Sequence, residues 1–136
     1  MNANKFAKYA PAVVRVGIAL VFLWFGIDQL RHASDWAMAV PEYAKILPFS
    51  SETIIMMHGL FEVIFGSLLL AGFKTRLASA LLALNLAHIT CLVGYNAIGV
   101  RDFGLFLATV SIFLNGADIA TADSILEKKK LLANES

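Results

Sequence analysis

Four runs of apolar residues, each about twenty residues long, dominate this 136-residue chain and leave it few ways to fold. They cover 11–30, 52–72, 77–98 and 103–122. A helix rises about 1.5 Å per residue, so roughly 20 residues cross the ~30 Å hydrocarbon layer of a bilayer. The runs are continuously apolar and lack the period-two alternation of a membrane β-barrel. Backbone in lipid must also satisfy its own hydrogen bonds, which favours helices. The expected fold is all-α, an integral membrane four-helix bundle that makes a single domain over residues 1–136. Composition agrees, with 59% hydrophobic and 15% charged residues, against about 45–50% and 25% in soluble domains.

The ends of the runs carry their own signals. Pro11 suits the first turn of a helix. Gly72, before Phe73-Lys74-Thr75-Arg76, marks a tight turn, so the second and third spans form a helical hairpin. Gly99 breaks the chain again before Arg101-Asp102. Lys5 and Lys8 precede the first run as in a signal peptide, but the run is long and has no A-x-A-like cleavage site, so it reads as a retained anchor. Lys5, Lys8, Arg15, Lys74, Arg76 and Lys128–Lys130 fall on one side, and Arg31, Lys45 and Arg101 on the other. The positive-inside rule then expects both termini in the cytoplasm of a multi-pass inner (plasma) membrane protein. The connection 31–50 lies on the outer side, either as a short interfacial helix built on Trp36, Val40 and Leu47 or as a loop with aromatic anchors. The tail 123–136 is expected to be a frayed cytoplasmic helix, its lysines meeting anionic lipid or enforcing topology.

Several functions drop out. A net charge of +1 offers no basic field for nucleic acid. A single cysteine, Cys91, excludes an intrachain disulfide or a two-cysteine redox motif. No phosphate loop, Rossmann fingerprint or metalloprotease motif occurs. Any catalysis must use polar groups inside the helices, so the chain is at most one membrane subunit of an enzyme.

Depth sorts those polar groups. Glu62 lies near the middle of the second span, His58 one turn nearer the outer surface, and His88 near the middle of the third. Asn85, His88 and Tyr95 are spaced i, i+3 and i+10, and Gly59 and Gly66 flank Glu62 and admit a neighbouring helix. The hairpin brings Glu62 and His88 face to face, which predicts a Glu62–His88 hydrogen bond. A carboxyl at that depth costs about 2.5–3.5 kcal/mol on insertion scales, so the group has either a use or a register-fixing partner. Burial moves a carboxyl and an imidazole toward titration near neutrality, which suits proton-coupled quinone chemistry or a proton relay. Glu62, His88 and His58 are therefore the candidate catalytic groups, and His58, Glu62, Asn85, His88 and Tyr95 the candidate quinone-binding set. A two-histidine, one-carboxylate metal site is a weaker alternative, and bis-histidine haem ligation weaker still. A second polar cluster gathers Asp28, Gln29, Arg31, Tyr95, Asn96, Arg101 and Asp102 at the outer end, within reach of His58. A third pairs Arg15 with Asp118 near Asn115 at the inner end, where structural ion pairing is the simpler role.

The stretches RVGIALVFLWFGIDQL (Arg15–Leu30) and GLFEVIFGSLLLAGFKTRLASALLALNL (Gly59–Leu86) resemble the DoxX family of small four-helix membrane proteins. RDFGLFLATVSIFLNGADIA fits that family's last helix, so the likeness runs from Arg15 to about Asp123. The resemblance implies a membrane subunit associated with an oxidoreductase, as with the DoxD-type subunit of a thiosulfate:quinone oxidoreductase. It carries Glu62 and Arg76 over from the hairpin motif, but neither His58 nor His88. Three functional readings follow: a quinone-linked redox subunit, a small proton-coupled transporter, and a non-catalytic scaffold recruiting a soluble oxidoreductase. Four short spans without an obvious internal repeat weigh against transport unless the chain oligomerises.

Overall fold

The computed structural model describes residues 4–134; residues 1–3, and with them the last two residues of the expected tail, 135–136, lie outside the described residues. Among the described residues there is no strand. Four of their helices are long and apolar enough to cross a membrane: α1 (Ala10–Arg31), α2 (Ser51–Ala71), α3 (Thr75–Val93) and α4 (Ala97–Asn115). A further helix, α5 (Ala122–Asn134), follows, and a single turn (Asn4–Ala7) precedes α1. The chain is an all-helical integral membrane bundle. The end that carries the 32–50 connection, opposite both termini, is called the outer end.

Local chemistry sets the helix limits. The Ser50 hydroxyl accepts from the Thr53 N–H at 3.2 Å and caps α2. Gly72 closes the same helix at φ 67°, a left-handed conformation that glycine adopts without a Cβ clash. Its N–H reaches Leu69 O at 3.1 Å and that of Phe73 reaches Leu68 O at 3.0 Å, the Schellman arrangement. The start of α3 is capped from far along the chain. Asp123 accepts from Lys74 N at 2.9 Å, Thr75 N at 2.8 Å and Thr75 Oγ1 at 2.9 Å. Burial alone pushes the Asp123 carboxyl up, but these donors outweigh it and hold the group below the usual carboxylate range. Asn96 caps α4 by accepting from Ile98 N and Gly99 N.

Packing follows where the backbone is bare. A Cβ on Gly26 would lie 2.8 Å from Gly59 O, and one on Gly59 would lie 2.8 Å from Gly26 O, so α1 and α2 touch backbone to backbone. Two turns further inward the same pair of helices packs through side chains, with Phe22 and Leu23 of α1 resting on Gly66 of α2. The core gathers Ile18, Ala19, Phe22, Leu69, Ala78, Leu82, Leu86 and Ile112. Leu20, Trp24, Leu84, Leu107 and Leu114 point outward and are exposed, the surface expected of helices surrounded by lipid.

The outer connection is neither one interfacial helix nor a plain loop. It is three short turns, Ala33–Trp36, Ala37–Ala39 and Glu42–Ile46. Pro41 separates the second from the third because it forces the preceding Val40 into extended backbone, at ψ 120°. Val40 is buried, and the Trp36 indole N–H donates to Asp28 Oδ2 at 2.9 Å, so the segment is pinned onto the bundle.

The inner end is held by Arg15. Its Nε donates to Asp118 Oδ2 at 2.7 Å, Nη1 to Leu69 O at 2.8 Å and Leu70 O at 2.6 Å, and Nη2 to Ala120 O at 3.1 Å. Both charged side chains are almost wholly buried. Such a pair is structural: removing one partner of a buried pair typically costs about 3–5 kcal/mol.

Candidate functional site

The hairpin turn fixes which residues of α2 and α3 stand level. Counting outward from Gly72 and Thr75, Glu62 is ten residues before the turn and Asn85 ten residues after it. Asn85 therefore faces Glu62, and its Nδ2 donates to Glu62 Oε1 at 3.3 Å. From α1, across the Gly26–Gly59 contact, Gln29 Nε2 donates to Glu62 Oε2 at 3.0 Å. One turn outward on α2, His58 contacts the same two amides, Nδ1 to Gln29 Oε1 at 2.7 Å and Nε2 to Asn85 Oδ1 at 2.9 Å. The four side chains close a ring, Gln29–Glu62–Asn85–His58. Glu62 and Gln29 are 3% and 4% exposed, so the ring is the polar interior of an apolar bundle, where unpaired groups are costly. Among the described residues no buried side-chain nitrogen or oxygen lacks a hydrogen-bond partner.

The expected Glu62–His88 bond is absent. His88 lies three residues beyond Asn85, about 4.5 Å further out along the helix, and is exposed. Its Nε2 meets the hydroxyl of Tyr43 from the outer connection instead. Both Glu62 oxygens are paired with the amides of Gln29 and Asn85. Tyr95 also departs from its expected place. The helix α3 stops at Val93 and Gly94 turns the chain at φ 75°, so the i+10 register with Asn85 does not reach Tyr95, which is fully exposed. The expected Arg15–Asp118 pair is present.

Between the ring and the outer connection lies a cavity of about 360 Å³. Its walls are mainly apolar, with Phe25, Val40, Leu86 and Leu105 among them, and its polar groups include Gln29, His58, Glu62, His88, Arg101 and Asp102. Asp102 is buried and paired with Arg101 at 2.8 Å, whose guanidinium lies 5.6 Å from the centre of the Phe25 ring. Tyr43 and Trp36 roof the cavity. His58, Glu62 and His88 thus line one space, although no three His, Cys, Asp or Glu side chains come together as metal ligands among the described residues.

Two participants escaped the sequence reading. From the sequence alone Gln29 falls with the outer-end charges, and Tyr43 is an aromatic residue of the outer connection with no site role. Counting residues from the hairpin turn finds the Glu62–Asn85 level; nothing in the sequence announces Tyr43, which reaches His88 across the fold.

The family model of the methylamine utilisation protein MauE matches residues 7–104. The match spans α1, the outer connection, α2, α3 and the first half of α4, and so takes in every member of the ring and the cavity's polar groups. No curated protein and no solved structure matches. The matched family differs from DoxX, which the hairpin resembles, and both describe a small integral membrane protein. With well over half its length under that one model, the chain belongs to the MauE family.

Proposed function

We propose that the chain is an inner-membrane subunit of a redox system, with both termini cytoplasmic, and that its outer cavity takes a quinone. The observation that carries this reading is an apolar cavity with hydrogen-bonding groups at two places, Tyr43–His88 under the roof and His58–Gln29–Glu62 along one wall. A volume of about 360 Å³ falls within the roughly 300–1,000 Å³ of small-molecule sites. The residues fit a quinone head group, which needs an apolar slot with a donor at each of two carbonyl oxygens. When bound, a quinone supplies two-electron, two-proton redox chemistry. The chain's own part would be to hold the ring against apolar walls that include Phe25 and Leu86, to cover it with Trp36 and Tyr43, and to hold protons at His58, Glu62 and His88.

The family's name ties it to methylamine utilisation, and we carry that process to this chain as its setting. The chain has no electron-transferring motif of its own, so an oxidoreductase partner completes the system. A transporter needs a polar path from end to end. The outer cavity and the inner one, about 260 Å³ beside Asn115 and Asp118, share no lining residue, which favours the redox reading.

The test is titration of the purified protein in nanodiscs with a short-chain quinone, followed by tryptophan fluorescence, since Trp36 lines the cavity. Wild type binds, and His88→Ala binds about tenfold more weakly, as expected for losing one hydrogen bond of roughly 1–1.5 kcal/mol. A wild-type protein that shows no saturable binding rules the reading out.

A further inference from the structure

The ring Gln29–Glu62–Asn85–His58 has a property that follows from counting donors. Both amide oxygens face His58 and both amide nitrogens face Glu62. Each nitrogen of the imidazole therefore meets an acceptor, and each carboxyl oxygen meets a donor. All four bonds form when His58 carries two ring protons and Glu62 none. Turning the Gln29 amide over exchanges its oxygen and nitrogen. His58 Nδ1 then accepts, Glu62 Oε2 donates, and the same four bonds form with His58 neutral and the proton on Glu62. Turning Asn85 over does the same through His58 Nε2 and Glu62 Oε1. The two states have equal net charge and leave no polar atom unpaired; they differ by the seat of one proton and the orientation of one amide.

We propose that these four side chains act as one proton-transfer unit, holding a single proton that passes between His58 and Glu62 when one of the two amides turns over. An N–H bond at His58 breaks and an O–H bond at Glu62 forms, the proton crossing on a water molecule of the outer cavity that both groups line while the turning amide re-pairs them, with no transfer of electrons and no change in net charge. Constant net charge is what makes the exchange feasible in an apolar bundle, where a net charge is expensive. His58 and Glu62 both line the outer cavity, so the stored proton is available to a group bound there. Gln29 and Asn85 are positioning residues. The other titratable groups on the cavity are His88 from α3, Tyr43 from the outer connection and the Arg101–Asp102 pair from α4; His88 and Tyr43 bond each other, as do Arg101 and Asp102, and none bonds the ring.

This inference deepens the proposed function by supplying the proton side of that site. It depends on that function only for the proton's destination, so its test uses protein without quinone. Histidine-labelled protein in nanodiscs is followed by nitrogen NMR, with His58 assigned through His58→Asn. The Glu62 carboxyl is followed by isotope-edited infrared spectroscopy, assigned through Glu62→Gln. In wild type around neutral pH, the fraction of His58 as imidazolium equals the fraction of Glu62 as carboxylate. Glu62→Gln lowers the imidazolium fraction at least tenfold. The double variant Gln29→Met with Asn85→Leu, which keeps both titrating groups but removes both connecting amides, destroys the equality, and it decides the matter where Glu62→Gln fails to fold. The proposal is overturned by an imidazolium fraction unchanged in Glu62→Gln, by unequal fractions in wild type, or by equality that survives the loss of both amides. Loss of quinone binding with the equality intact would instead remove only the proposed ligand.

Discussion

Asp123 shows how one side chain can tie the end of the chain to its middle. Its carboxylate takes the first free N–H groups of α3, where the helix dipole also favours negative charge. A carboxyl held below its usual range in the folded state adds stability that is complete above the unfolded value of about 3.9. That stability is lost as pH falls through the lower, folded value. Asp123→Ala is therefore expected to cost about 0.5–2 kcal/mol at pH 7, the usual worth of such a cap. The gap from wild type should close in strongly acidic buffer. Thermal unfolding in detergent across a pH series measures both, and a gap independent of pH would show that the charge contributes nothing.

Contacts between elements turn on the smallest residues. The α1–α2 crossing exists because neither Gly26 nor Gly59 carries a Cβ. Backbone cannot yield as a flexible side chain does, so Gly26→Ala forces the helices apart. It is expected to destabilise the protein by about 1–3 kcal/mol and to lengthen the Gln29–Glu62 bond that spans the crossing. Gly17→Ala, with open space around its Cβ position, is the control and should unfold like wild type. Equal unfolding temperatures for the two variants would show that the crossing is not tightly packed.

The same crossing explains what could and could not be read beforehand. Apolar length and the Gly72 turn make the spans and the hairpin legible, because helix length and backbone conformation are local. The burial of Glu62 was legible too. Its partners were not, because they depend on which helix approaches its face. Gly59 indicates only that some helix comes close, and α1 rather than α3 takes the nearest place. His88 stands one turn too far out, and Tyr95 lies past the end of its helix. Tyr43 meets His88 only once three short turns have folded the outer connection back over the bundle.

Across the whole molecule, two polar assemblies sit at opposite ends of an apolar core: the ring with its cavity, and the Arg15 knot. The proposed orientation places the cavity on the outer side of the membrane and α5 in the cytoplasm. A cysteine introduced at Asn134, exposed at the end of α5, in a Cys91→Ser background should react with a membrane-impermeant thiol reagent only after cells are opened. One introduced at Glu42, in the exposed part of the connection, should react in intact cells. The reverse pattern would invert the orientation, and with it the side from which the cavity is reached.

Arg15 enters the chain more than a hundred residues before Asp118. During synthesis its guanidinium sits in the first helix with no carboxylate to meet until the last span has been threaded. An interrupted chain is thus marked by a lone cation near the membrane border, while a finished one hides it completely. The knot can therefore close only after the last span is in place, which makes it one of the last contacts of the bundle to form.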